Sequence, residues 1–195
     1  MKGAYMTTGC VILAGGKSSR MGTDKALLTI DNTNFIKKLC TKFDFMEEKI
    51  IARGNRAEIA ESTWSVIPDV YPNHGPIGGL HAALKSCQSD ALFCVACDTP
   101  LIKPYVFWKM QEQMNTDIDA VIAVTEDGKY HPLCGVYKKH VADLMEEQIR
   151  KDMNRIMQVI KQIRVEYVQL HSIEDGLLNI NTKEDYALYI KEMKL

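Results

Sequence analysis

The chain predicts an α/β fold: a mostly parallel sheet held between helix layers, with one antiparallel element in its later part. Three observations carry this. Short apolar runs alternate with stripes of apolar residues at three-to-four spacing, the pattern of strands crossing over through helices. The run Ala91-Leu-Phe-Cys-Val-Ala96 is apolar without alternation, as expected of a strand covered on both faces. The strand-like segments 119–124 and 134–137 lie too close together for a helical crossover, so they pair antiparallel.

The elements follow in order. Residues 9–14 form the first strand. Phe35, Ile36, Leu39, Phe43 and Met46 then mark one face of a helix over 34–45. A short strand at 49–52, a short helix at 56–62 and a strand at 65–67 come next, the last ending in Pro68-Asp69. Pro76 opens a helix, where its missing N–H costs nothing. The buried strand 91–96 precedes a helix over 104–114, and the two strands at 119–124 and 134–137 follow. Helices over 141–149 and 153–163, a strand over 165–170 and a helix over 183–193 complete the chain. Thr182 is placed to cap the last helix, its hydroxyl accepting a backbone N–H.

The 195 residues fit one domain, 1–195, with a substantial core. A formal net charge of −1 supplies no field for nucleic acid or anionic membrane. The N-terminal residues lack an apolar signal core, and the run 10–14 is too short to span a bilayer, so a cytoplasmic protein without membrane attachment is expected. Six cysteines in such a chain predict free thiols rather than a disulfide framework. Cys94 and Cys97 form a C-x-x-C, but no second pair accompanies them and they sit in an apolar strand; core packing is the expectation over metal or redox use.

The segment Val11-Ile-Leu-Ala-Gly-Gly-Lys-Ser-Ser-Arg-Met-Gly-Thr-Asp-Lys25 holds the densest chemistry. A strand empties into Gly15-Gly16, and Lys17, Arg20 and Lys25 follow. Glycines admit a ligand close to the backbone, and the turn amides with these cations form a cup for an anion such as a polyphosphate. Two common phosphate loops are excluded. A Walker A motif needs glycine where Val11 stands, and the dinucleotide fingerprint needs glycine where Lys17 stands.

Two aspartates end strands, and ligands of parallel sheets bind beyond strand carboxyl ends. Asp98 follows 91–97 and faces the same crevice as the glycine turn; beside a polyphosphate it would hold Mg²⁺, which prefers oxygen ligands. Asp69 serves equally as a contact to ribose or base, or as the start of a turn with Pro68. Gly78 and Gly79 sit in the first turn of their helix at a cost of roughly 1 kcal/mol each. Close approach by a ligand or a chain neighbour would account for that cost. His131 could bind substrate or move a proton, or be an ordinary loop residue, and Asn179 and Asn181 offer amides or simply stabilise a turn.

Taken together, Leu13-Ala-Gly-Gly-Lys-Ser-Ser-Arg-Met-Gly-Thr-Asp-Lys25 resembles the signature loop of the molybdenum cofactor guanylyltransferases. The resemblance continues through Pro68-Asp69, Gly75-Pro-Ile-Gly-Gly-Leu80, Cys97-Asp-Thr-Pro100, His131-Pro132 and Asn179-Ile-Asn-Thr182, in the family's order and over nearly the whole chain. Many relatives in the wider class carry Leu-Ala-Ala-Gly; here Gly15 precedes Gly16, as in the guanine-using branch. Lys183 departs from the family's usual proline.

The resemblance implies a Rossmann-like, three-layer nucleotidyltransferase fold that moves GMP from GTP to molybdenum-bearing molybdopterin and releases diphosphate. It implies that Leu13, Ala14, Gly15 and Gly16 meet the nucleotide by their backbone. Lys25, and Arg20 beside it, would hold phosphates, Asp69 would meet the guanosine, and Asp98 would bind Mg²⁺. His131, Asn179 and Asn181 are the candidates for the molybdopterin side, and molybdoenzymes or their chaperones are the implied recipients of product. A cytidylyltransferase or sugar-phosphate nucleotidyltransferase of the same fold, and a non-catalytic cofactor carrier, remain alternatives at this point.

Overall fold

A computed structural model of the protein describes residues 6–15, 29–30, 33–54, 63–180 and, near the C-terminus, 182, 184, 185, 187, 188 and 191. Its elements are β1 (Thr8–Leu13), β2 (Thr29–Ile30), β3 (Thr33–Asn34), α1 (Phe35–Lys42), β4 (Lys49–Ala52), β5 (Ser65–Ile67), α2 (Pro76–Ser86), β6 (Ala91–Ala96), α3 (Tyr105–Gln111), β7 (Ala120–Thr125), β8 (Tyr130–Lys138), α4 (Val141–Arg150), α5 (Ile156–Ile160) and β9 (Val165–Leu170).

Seven strands form one sheet in the order β5-β4-β1-β6-β8-β7-β9. The pairs β4–β5, β1–β4, β1–β6 and β7–β9 are parallel, whereas β8 runs antiparallel to both β6 and β7. The expected mixed sheet is therefore present, and the strand pair at 119–124 and 134–137 supplies its antiparallel part.

Side-chain alternation along the strands divides the core into two layers. Cys10, Ile12, Phe93 and Val95 face one side, where they meet Ile36 and Leu39 of α1 and Val106, Phe107 and Met110 of α3. Val11, Leu13, Leu92 and Cys94 face the other, against Leu80 and Leu84 of α2, Met145 of α4 and Val159 of α5. This helix–sheet–helix sandwich explains why β6 is apolar at every position. Ile12 and Leu92 are fully buried, and truncating either to alanine costs about 2–5 kcal/mol.

Several boundaries differ from the sequence expectations, each for a local reason. The helix expected over 153–163 begins only at Ile156. Asp152 is left-handed (φ 55°), and the Met153 amide turns back to Gln148 O at 2.9 Å, so residues 152–153 finish α4 instead. Helix α3 ends at Gln111, after which the amides of Gln113 and Met114 reach carbonyls three residues back. Strand β8 starts four residues before the expected Cys134. The tiny β2–β3 ladder carries no periodicity that a sequence reading could detect. Asn34 caps α1 by accepting the Lys37 amide at 2.7 Å. Thr182 behaves as expected, accepting the Asp185 amide at 2.9 Å while Asp185 accepts the Thr182 amide at 2.9 Å. The short helix expected at 56–62 lies outside the described residues, as does most of the one expected over 183–193.

Candidate active site at the carboxyl edge of the sheet

The strand ends gather the candidate residues along one edge. Leu13 lies in register between Ala52 and Ala96. The ladder runs one step further on each side, with Ala14 N donating to Ala52 O at 2.9 Å and Cys97 N to Leu13 O at 3.0 Å. Gly15 leaves β1 against Gly54, which leaves β4: a Cβ on Gly54 would stand 2.8 Å from the Gly15 Cα, and Gly54 has φ +60°. The two turns fit only because neither carries a side chain there.

Asp69 follows β5 on the same edge. Its carboxylate accepts the Gly54 amide. It also lies over the first turn of α2, where a Cβ on Gly78 or Gly79 would come to 3.4 or 3.5 Å of a carboxylate oxygen. The cost of those helical glycines is thus explained by chain neighbours: Gly78 also faces Tyr71 O, and Gly79 faces Ala52 and Leu13. Burial raises the Asp69 carboxyl above its usual range, against the opposing pull of the Gly54 amide and Arg53. Oδ1 of Asp69 is buried with no hydrogen-bond partner among the described residues. An unsatisfied buried acceptor of this kind costs about 1–3 kcal/mol until a donor reaches it.

A second group forms around the end of β6. Asp98, His131 and Asn179 line a cavity of about 180 Å³ together with Lys129, Tyr130 and Pro132. Two devices build it. The β7–β8 register jumps from Ile122↔Gly135 to Ala123↔His131, so residues 132–134 bulge out of that pairing. Such a bulge re-aims side chains next to a site; Tyr137 OH holds it by donating to Pro132 O at 2.5 Å. On the other side Ile180 N donates to Asp98 O at 2.7 Å, which seats Asn179 beside the strand end. Buried Asp175 anchors the turn before this segment by accepting from Tyr105 OH and from the His171 amide.

His131 is half-buried, and its Nε2 lies 2.9 Å from Thr125 Oγ1. Burial, reinforced by Lys129, lowers its basicity and keeps the imidazole neutral near pH 7.

Asp69 and Asp98 end strands three places apart in the sheet, a separation of about 14 Å at ordinary strand spacing. The turn after β1 leaves from between them.

The structure thus places Leu13, Ala14, Gly15, Asp69 and Asp98 on one edge and brings His131 and Asn179 to Asp98. Gly16, Arg20, Lys25 and Asn181 lie outside the described residues, as does Lys17. Residues that the sequence reading passed over are Gly54, Thr125 and Lys129. Gly54 carried a signal, a glycine two residues past a strand; Thr125 and Lys129 carried none.

Among the described residues no group of three or more His, Cys, Asp and Glu side chains is assembled for a metal. The C-x-x-C is not one either. Cys94 faces one core layer and Cys97 the other, and all six cysteines are buried outside any disulfide.

Comparison with known proteins agrees with this geometry. The model of the MobA-like NTP transferase domain matches residues 10–169, most of the chain. The chain belongs to the MobA-like NTP transferase family. A Carboxydothermus hydrogenoformans protein named "probable molybdenum cofactor guanylyltransferase" is 32% identical over 190 residues, covering 94% of this chain and 95% of that one. Among solved structures, molybdopterin-guanine dinucleotide biosynthesis protein A from Archaeoglobus fulgidus superposes with a TM-score of 0.78 at 21% identity, covering 97% and 99% of the two chains. The 2-C-methyl-D-erythritol 4-phosphate cytidylyltransferase of Thermus thermophilus superposes with a TM-score of 0.72 at 11% identity, covering 95% and 98%. This chain thus shares its α/β fold with a cytidylyltransferase as well. The resemblance to molybdenum cofactor guanylyltransferases drawn from the sequence motifs holds over the full length of the match.

Proposed function

We propose that this protein transfers GMP from GTP to the terminal phosphate of molybdenum-bearing molybdopterin and releases diphosphate. One observation carries the reading. Asp98 belongs both to the strand edge from which Ala14 and Gly15 leave β1 and to the cavity lined by His131 and Asn179. A donor phosphate and an acceptor phosphate brought to those two places would meet at its carboxylate.

Backbone groups of Leu13, Ala14, Gly15 and Gly16 receive the nucleotide, and Lys25 and Arg20 bind its phosphates. Asp69, with its unpartnered buried oxygen, takes N–H or O–H donors of the guanosine. His131, Asn179 and Asn181 take the molybdopterin side. An acceptor phosphate oxygen forms a bond to the α-phosphorus of GTP while the bond to the bridging oxygen breaks, and that oxygen leaves with diphosphate. The acceptor is already an anion, so no strong base is required; alignment and neutralisation of charge supply the rate.

Asp98 suits Mg²⁺. Asp98 is half-buried and belongs to no cluster of three or more ligating side chains among the described residues, which matches an ion held by one or two carboxylates and otherwise by substrate phosphates and water. Bound there, Mg²⁺ would neutralise charge on the α-phosphate and leaving group. The product would pass to molybdoenzymes or their chaperones. Cytoplasmic operation accords with the described residues, where no helix is long and apolar enough to cross a membrane.

Thermal shifts with GTP, CTP, ATP and UTP in the presence of Mg²⁺, followed by diphosphate release with purified molybdopterin, test the proposal. Selective stabilisation by GTP and stoichiometric diphosphate are expected. Equal stabilisation by all four removes the claim for guanine. Binding without diphosphate release leaves a cofactor carrier instead.

A further inference from the structure

The hydroxyl of Thr125 is the centre of a small polar cage. Oγ1 lies 2.7 Å from Asp127 Oδ1, 3.2 Å from Lys129 O and 2.9 Å from His131 Nε2. Thr125 itself is buried, while Asp127 and Lys129 form the exposed rim of the cage. A hydroxyl has one proton to give. The carboxylate and the carbonyl are acceptors only, and the side-chain and backbone hydrogen bonds at Asp127 keep its carboxyl below the usual range, hence ionised. Thr125 therefore donates to Asp127. If His131 Nε2 were also an acceptor, one proton would face three acceptors, and with that proton on Asp127 the ring lone pair would meet the hydroxyl's own lone pairs at 2.9 Å. The contact is satisfied only when Nε2 carries hydrogen and donates to Thr125.

That assignment fixes the other nitrogen. The groups around the ring are Lys129, Asp127 and Glu126 from the turn and Asp98 across the cavity. Burial and Lys129 prevail over the two turn carboxylates and keep the ring from taking a second proton. Nδ1 is then a bare lone pair on a cavity-lining residue, with no hydrogen-bond partner among the described residues. A bare lone pair repels a phosphate oxygen and attracts an N–H.

We propose that His131 is held as its Nε2–H tautomer by the Asp127–Thr125 pair, and that its Nδ1 accepts a hydrogen bond from an N–H or amino group on the heterocycle of the acceptor substrate. His131 is then a reader of the acceptor's ring rather than a cation for its phosphate. This deepens the acceptor side of the proposed function and rests on that reading for the identity of the ring. The tautomer itself rests only on the cage.

Long-range ¹⁵N–¹H correlation spectra of the ¹⁵N-histidine protein at pH 7 test it, with His131 assigned by the signal lost in His131→Asn. The expected pattern is a protonated Nε2 and an unprotonated Nδ1. Adding an unphosphorylated pterin should move the Nδ1 resonance, and adding inorganic phosphate should not. An Nδ1–H tautomer, an imidazolium at pH 7, or a response to phosphate with none to pterin overturns the proposal. Thr125→Val removes the hydroxyl at constant shape. It should release the tautomer into a mixture and weaken pterin binding by about tenfold, the loss of one hydrogen bond; an unchanged tautomer in that variant also overturns the proposal. In turnover, His131→Leu should raise KM for the acceptor while leaving KM for GTP near its starting value, and His131→Asn should restore part of the loss by offering an amide oxygen near Nδ1. None of the spectroscopy requires GMP transfer. Failure of the wild-type protein to release diphosphate would count against the proposed reaction and leave the His131 result standing.

Discussion

Tyr71 donates its hydroxyl proton to Glu146 Oε1 across 2.8 Å, joining residues 75 apart in sequence. The same oxygen accepts from Arg150 Nη2 at 2.6 Å, and the Arg150 guanidinium lies over the Tyr71 ring at 5.8 Å. Lys85 of α2 stands 3.5 Å from the other carboxylate oxygen. The loop that carries Asp69 into the site is therefore fastened to α4, on the far side of α2. Arg150 foremost, then Tyr71, holds the Glu146 carboxyl down at about 2 from its ordinary 4.5.

A carboxyl lowered in the folded state contributes stability that is complete above its ordinary value and is lost as pH falls toward the lowered one. Glu146→Gln should therefore melt below the wild-type protein by a constant margin at neutral pH, and the margin should close between pH 4.5 and about 2. Paired thermal melts across that range check it; a margin unchanged at pH 3 would contradict the assigned partners. Glu146→Ala, which also releases Tyr71, should raise KM for GTP more than Glu146→Gln does.

Asp69 has the opposite sign. Its carboxyl is raised by burial, so it favours the fold only while protonated, and that contribution disappears as pH rises through the raised value. Once ionised, the side chain is a local cost, which the proposed contact to the guanosine would offset. Asp69→Asn should raise the melting temperature of the ligand-free protein at pH 7, with the gain shrinking as pH falls through the raised value and gone below the ordinary 3.8, while GTP binds more weakly. Calorimetric titration with GTP beside the melts separates the two effects. A variant that loses stability and keeps GTP affinity would show that Asp69 is a turn residue.

The thiols make a third case. Burial pushes those of Cys10 and Cys94 well above the usual thiol range, and Cys134 is raised for the same reason. Only the thiolate reacts at a useful rate. The native protein should show no rapid reaction with a disulfide reagent at pH 8, and all six thiols should titrate once it is unfolded. Chelators should leave its melting temperature unchanged in the absence of added metal. Rapid labelling at Cys94 or Cys97 in the folded state would reopen a redox or metal role for that pair.

How far the sequence reached can be seen from particular residues. Strands β4 and β6 fall on their apolar runs, because a strand covered on both faces has nothing but apolar neighbours to specify it, and the edge strands β5 and β9 fall at the expected bounds as well. Asp69 and Asp98 were legible because the carboxyl ends of parallel strands face one edge whatever the details between them. The short α5 was not, since apolar spacing at Met153 could not show that Asp152 turns left-handed. Nor could any local pattern show the Thr125–His131 contact, which a register jump creates, or the Tyr71–Glu146 tie, which joins distant segments. Periodicity registers what a residue packs on, not which polar group a distant segment delivers to it.

Asp98 is where these strands of reasoning meet the chemistry. It stands two residues beyond a fully buried strand that β1 and β8 hold on both sides, and Ile180 donates its amide to the Asp98 carbonyl. Asp98→Asn keeps that shape and its hydrogen-bonding size while removing the charge that would hold Mg²⁺. The fold and GTP affinity should change little, because the backbone contacts proposed for the nucleotide would be untouched. The rate of GMP transfer should fall by on the order of 10²-fold or more, as when one electrostatic stabiliser is removed from an acyl- or phosphoryl-transfer site. Raising Mg²⁺ should recover part of that loss, since a weakened site fills by mass action. Turnover measured against Mg²⁺ concentration in both proteins decides the matter. Near-wild-type turnover of the variant at limiting Mg²⁺ would mean that the metal is held elsewhere, and that Asp98 is no more than the turn residue at the end of β6.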